Sequence, residues 1–493
     1  MRGWNPGART ADQDTIPKLE QARASSRDLF MNTPIAAAAL RRITTNAVGQ
    51  GLTFQSRIDR DFLGLTEEQA DVWERTTERE FALWANSKEC DRARSLNFRE
   101  MQRLAMLSVM LNGDAFVVLP FVNVRNAQTP YKLRVQLIEA DNVANPYSQA
   151  DDENTKGGIV FDENETPVAY WVRRRPYKMF AGADDWVKID AFGRGSGRRN
   201  VLHLMIKDRI GQKRGMPLLA PVFEACKQVS RLAEAELMGA VIASMFTVFI
   251  RNESGGGGLD QMFTDDESVL HDPTGTSGRD AQNPDDNMME IGSGNLLELE
   301  EGQDVQTASP NRPNSAFDPF FQAIVKQIGA AIEVPYEQLM LSFTSSYSAS
   351  RAALLEAWKF YKERRAWLAD NFCQPVYEEW LTEAIMRGRV SAPGYFDDPA
   401  VRQAWRGSYW GGPGQGQIDP VKETKGAQLR VASGLGNFED EYIAIHGGDW
   451  EQNVQRRARQ NRILGRERVS VSLDSDVANI NARPEDEAQE GAE

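Results

Sequence analysis

Residues 334–368 read VPYEQLMLSFTSSYSASRAALLEAWKFYKERRAWL, and the middle of this stretch decides how the chain around it is arranged. Small hydroxyl residues, Ser342, Thr344, Ser345, Ser346 and Ser348, interrupt two helical patterns, with Phe343 and Tyr347 set among them. Upstream, Phe317, Phe320, Phe321, Ile324, Val325, Ile328 and Ile332 follow the i, i+3, i+4, i+7 spacing of one helix face; Asp318 and Pro319 supply the start signal and Pro335 the stop. Downstream, Leu354, Leu355, Trp358, Tyr361, Leu368, Phe372 and Val376 carry a long helix to Ile385, which Pro375 should kink.

Moving outward, a further helix is predicted from Met216 to Ile250, with Leu219, Val222, Cys226, Val229, Leu232, Leu237 and Val241 on one stripe. At about 1.5 Å per residue, some thirty residues reach roughly 45 Å, more than a compact domain needs. Gly239, Ala240, Ala243 and Ser244 are small enough to admit a close helical neighbour. Between Arg251 and Pro313 the composition turns to Gly, Ser, Asp and Asn, with strand-like islands NLLELE and MMEI. The order is therefore helix, excursion, helix, loop, helix.

The first two hundred residues read as one α+β domain. Residues 1–27 are polar and are expected to be ordered only against a neighbour; an Ala-rich helix then runs to Gly49 and Gly51. Thr66 with Gln69, and Asn97 with Glu100, form capping-box patterns that open two helices. Strands are predicted at AFVVLPFV (115–122) and YKLRVQLI (131–138), followed by a hairpin in which GGIVF and PVAYWVRR flank Asp162 to Thr166. Near the C-terminus, Asp419 and Pro420 start a short helix, a charged helix lies near 450–464, and the tail has a disordered composition.

The 493 residues carry 71 Asp plus Glu against 57 Lys plus Arg, a net charge of -14, which argues against a general nucleic-acid coat. Three isolated cysteines imply neither a disulfide framework nor a zinc ribbon, and no stretch has the length and apolarity of a membrane span. No Walker phosphate loop occurs, and the Gly-rich stretches at 193–199 and 292–302 lack the dinucleotide fingerprint. His203, His271 and His446 stand far apart, and the hydroxyls near Arg351 have no activating base. Glu139 with Asp141, Asp151 to Glu153, and Asp265 to Glu267 read as solvated loop charge, with a Mg²⁺-dependent nuclease as the alternative. No catalytic, cofactor or metal set emerges, so the chain reads as no enzyme. Of the basic clusters, KDRIGQKRG at 207–215 is the best phosphate candidate, through Lys207, Arg209, Lys213 and Arg214.

In this order, SRDLFMNTPIAAAAL, WERTTEREFALWANSKECDRARSLNFREMQRLA, GDAFVVLPFV, VQLIEADNVANP, HLMIKDRIGQKRGMPLLAPV, IGAAIEVPYEQLM, SYSASRAALLEAWKFYKERRAWL and GGPGQGQIDPVKE resemble the portal proteins of tailed bacteriophages, of the lambda-like type. The resemblance covers most of residues 26–450. It implies a ring subunit: a partly disordered extension at 1–27, an α+β wing at 28–215, a stem helix at 216–248, a small α/β clip at 249–312, and a second stem helix at 313–335. A tunnel loop follows at 336–349, a long helix returning to the wing at 350–415, a helical crown at 416–470 and an acidic tail at 471–493. The implied function is a head-to-tail connector through which double-stranded DNA is packaged and ejected. The implied partners are further copies, twelve in the ring, the terminase large subunit, the major capsid and scaffolding proteins and the head-tail connector. The implied location is the virion's portal vertex, and the host cytoplasm during assembly. On this mapping Ser342, Phe343, Thr344, Ser345, Ser346, Tyr347 and Ser348 face the DNA, and their neutral hydroxyls give replaceable contacts without cationic grip. Closure of a ring needs a heterologous interface, for which Gly239, Ala240, Ala243, Phe317, Phe321, Ile324 and Ile328 are the candidates.

Overall fold

The computed structural model describes residues 7–123, 127–174, 185–244, 248–252, 303–307, 317–342, 347–415, 419–448 and 450–466. They fall into two units, one formed by Met1–Lys227 with Ile324–Glu493 and the other by Gln228–Ala323.

In the first unit both predicted capping boxes form. Thr66 and Gln69 open the helix Glu67–Ala85, and Asn97 and Glu100 open Phe98–Asn112, each pair bonding reciprocally across the first turn. The Ala-rich helix runs from Pro34 to Ala47 and buries Ala36, Ala39, Leu40, Ile43 and Ala47 along one stripe. The polar N-terminal segment departs from expectation: Ala11–Thr15 and Leu19–Asn32 are helical, and Leu19, Ala22, Arg23, Ser26 and Leu29 are buried. An arginine and a serine at core-facing positions had hidden the amphipathic period.

Three antiparallel sheets follow. Asp114–Val118 lies between Gln136–Glu139 and Val201–Met205. Thr155–Lys156, Ile159–Phe161, Pro167–Arg173 and Trp186–Asp190 form a meander whose tight connection is the expected Asp162–Thr166 turn. Phe116, Ile138, Ile159, Tyr170 and Val172 pack between these two sheets. The first strand ends at Val118, short of the predicted Val122, where Pro120 can donate no ladder hydrogen bond. Thr53–Ser56 pairs with Ser408–Gly411, which brings late residues back onto the N-terminal half. Around that pair Phe54, Phe81, Phe98, Tyr377, Trp380 and Trp410 pack as a ring cluster.

The long downstream helix is Tyr347–Leu368 continued by Gln374–Met386, and a π-helical turn at Ala369–Cys373 takes up the interruption just before Pro375. Helices Pro420–Ala432, Phe438–His446 and Trp450–Arg466 follow, the first two capped by Asp419 and Asn437.

The helix expected from Met216 to Ile250 is shorter. It runs from Phe223 to Ser244, after a 3-10 turn at Ala220–Val222, because Pro217 and Pro221 cannot donate inside a helix. Its 22 residues span about 33 Å. Val248–Asn252, rich in β-branched and aromatic residues, is instead a strand, paired antiparallel with Gln303–Thr307 in the second unit. The islands NLLELE and MMEI lie outside the described residues. The second upstream helix is Phe317–Ala331.

Candidate functional site

A dense charge cluster among the described residues is buried. Gly113 adopts φ +89°, and a Cβ built on Gly215 would stand 2.0 Å from the Gly113 carbonyl oxygen, so the two backbones cross at a contact only glycine permits. That crossing sets Asp114, with no solvent exposure, against the segment that follows the sheet. Its carboxylate accepts from Arg23 Nη2 at 2.7 Å, Arg214 Nε at 2.6 Å and Gly215 N at 3.3 Å, with His203 Nε2 at 3.2 Å. Burial alone would raise the Asp114 carboxyl; Arg214, Arg23 and His203 overcome it and hold the group far below the usual carboxylate range. Burial likewise pulls His203 below its ordinary value, against the opposing pull of Asp114, and its ring stacks on Phe116 at 4.4 Å.

Every donor in this cluster is directed inward. Arg23 also donates to Asn112 O and Asp141, and Arg214 to the carbonyls of Val143 and Ala140. The arrangement is a clamp joining the N-terminal helix, the central strand and residues 207–215. Only the GD pair and the RG pair at either end of the crossing signalled it in the sequence, 100 residues apart.

Of the four predicted phosphate contacts, Arg214 is therefore corrected to an internal role, 2% exposed and fully engaged. Arg209 pairs with Asp14 at 2.6 Å; Lys213 pairs with Glu165 at 2.7 Å and lies over the Phe161 ring. Lys207 is exposed. Two of its cations thus dock on carboxylates of this same chain, Asp14 and Glu165, and the Lys213 backbone N–H donates to Asp12. Carboxylates considered for Mg²⁺ are similarly engaged: Glu139 and Asp141 with Arg27, and Asp151 with Asn145 and Gly157 N.

The hydroxyl-rich segment begins where the short helix Tyr336–Met340 ends on Leu341 in the left-handed region, with Ser342 half-buried after it. Phe343, Thr344, Ser345 and Ser346 lie outside the described residues; Tyr347 and Ser348 open the long helix. Among the interface candidates, Ile328 is fully buried inside its own chain and is corrected to a core residue. Ile324, Phe317 and Phe321 are half-buried, the last two stacked at 5.8 Å, and Phe320 beside them is 56% exposed. On the helix Phe223–Ser244, Gly239 is half-buried and Ala240 exposed, next to exposed Leu237, Met238 and Val241; of Ala243 only the backbone is described.

A family model described as phage portal protein, lambda family, matches residues 1–365. The portal protein of Escherichia phage N15 is 26% identical over 468 residues, covering 94% of this chain and 87% of that one. Portal protein B of Escherichia phage lambda is 25% identical over 473 residues, covering 93% and 87%. A chain in the virion of a native gene transfer agent particle aligns at a TM-score of 0.44 and 12% identity, over 86% of this chain and 93% of that one.

Proposed function

The chain belongs to the lambda family of phage portal proteins, and from that premise we propose that it closes, with further copies of itself, into a ring whose bore passes double-stranded DNA. Portal proteins are structural proteins, not enzymes, and neither the family nor the relatives support a nuclease. One observation carries the ring: Leu237, Met238 and Val241, on the helix Phe223–Ser244, stand exposed along one turn and a half. An apolar row of this kind on a single chain is what a heterologous neighbour covers. Twelve copies is the number the family resemblance implies. The ring occupies one capsid vertex of the virion and assembles in the host cytoplasm with scaffolding and major capsid proteins. The terminase large subunit docks at the clip during packaging, and the head-tail connector follows.

Residues 342–348 line the bore in this reading. Sliding past a duplex demands contacts that exchange cheaply, and neutral hydroxyls meet that demand where lysines would hold the phosphates. Replacing Ser345 and Ser346 together by Lys tests it. Rings should still assemble while packaging or ejection fails; normal packaging by the double variant would refute the loop's role.

A further inference from the structure

Arg209, Lys213 and Arg214 of the segment expected to meet phosphate pair with carboxylates of their own chain, whereas among the described residues the arginines of a different segment do not. In the helix Trp450–Arg466, Arg456, Arg457, Arg459 and Arg462 are all exposed, and among the described residues no carboxylate pairs with any of them. The neighbouring helices behave otherwise: Arg430 forms a two-pronged pair with Glu441 at 2.6 Å, and Lys422 pairs with Asp419 at 3.1 Å. A chain of net charge -14 thus holds at one place a row of guanidiniums that no carboxylate among the described residues neutralises.

Their spacing is regular. Arg456, Arg459 and Arg462 recur every third residue, so they share one face and cover about 9 Å of helix length. Trp450, Glu451, Val454 and Gln455 line a cleft with Ile58, Thr66, Ala70 and Glu74. Arg456, Arg459 and Arg462 are exposed and do not line that cleft, so the row stands away from it. Stabilisation of the helix dipole does not account for the row, because that effect is confined to the last turn and Arg456 lies almost three turns from Arg466.

We propose that this row binds the phosphate backbone of duplex DNA without reading its sequence, an assignment that rests on the reading of the chain as a DNA-passing portal. Arginine presents a planar fork that grips phosphate in a two-pronged way, and Gln460, standing between Arg459 and Arg462, carries an amide suited to phosphate and sugar oxygens. An acidic protein partner fits less well. A stable protein interface is anchored by a cluster of buried aromatic or aliphatic groups, and on this face Ile463 stands alone in that role.

The test is the binding of a labelled random-sequence duplex to the full-length oligomer, followed by anisotropy across a salt series, with R456Q/R459Q/R462Q beside it. Three phosphate contacts contribute a slope of about -2.7 to log K against log salt. Between about 50 and about 200 mM salt the unsubstituted oligomer should therefore lose about 40-fold more affinity than the triple variant. R456K/R459K/R462K should keep most of that slope. Equal slopes for the oligomer and its Gln variant, no binding of duplex at low salt, or a loss confined to polyglutamate binding would each overturn the assignment. Negative-stain images of the same samples keep the two readings separate. Rings whose DNA binding ignores the triple substitution reject the arginine row alone, whereas an unsubstituted chain that forms no rings rejects the portal reading.

Discussion

Replacing Asp114 by Asn removes one negative charge from beneath two buried guanidiniums. Arg214 and Arg23 are 2% and 5% exposed at their side chains, and the carboxylate between them is fully enclosed. Removing one partner of a buried pair costs about 3–5 kcal/mol, because the surviving charge has no solvent to turn to. Arg23 keeps Asp141 at 3.1 Å, but that carboxylate is 40% exposed and compensates weakly; Arg214 keeps only neutral carbonyls. The expected loss is at the upper end, about 4–5 kcal/mol, a large share of the roughly 5–15 kcal/mol that holds a folded domain together. Asp141→Asn, on the exposed side of the same cluster, should cost at most about 1 kcal/mol. Urea unfolding at one fixed protein concentration, followed by tryptophan fluorescence, compares the two. Similar losses below about 1 kcal/mol for both would show that Asp114 is not the centre of the clamp.

Burial, with help from the Arg214 and Lys207 charges and against the pull of Asp114, depresses the folded value of His203, so its contribution is complete above the unfolded value near 6.5 and declines as pH falls below it. His203→Gln should flatten the fall in stability between about pH 7.5 and about pH 5.5; an unchanged slope would exclude this histidine. Gly215→Ala forces a methyl onto the Gly113 carbonyl and should cost more than about 2 kcal/mol, while Gly195→Ala, with nothing within 4 Å, should stay within about 0.5 kcal/mol. Denaturation midpoints that do not separate these two variants would refute the crossing. Phe321→Asp should leave folded monomers on size-exclusion chromatography, and intact rings from that variant would remove Phe321 from the interface.

Local chemistry was legible where the signal was local. The boxes at Thr66/Gln69 and Asn97/Glu100 marked helix starts to the residue, because the donors they satisfy lie within one turn. The hairpin around Asp162 was equally plain. Residues whose role is set by distant partners were not. Arg23 counts as a polar surface residue until Asp114, 91 positions away, is placed beneath it. The charge of Arg214 suggested a phosphate for the same reason, and Ile328 looked like interface because a periodic stripe does not say whether its own chain or a neighbour covers it. The helix predicted from Met216 to Ile250 overran both ends of the real one, since a hydrophobic pattern persists where Pro221 and the β-branched and aromatic run at 248–250 stop the backbone from following it.

Cryo-electron microscopy of the purified oligomer addresses the central claim most directly. The account predicts a closed ring of identical subunits around a hole that admits a DNA duplex, with residues 342–348 at its wall. A discrete monomer without a bore, or a ring that carries those residues on its outer rim, would contradict it.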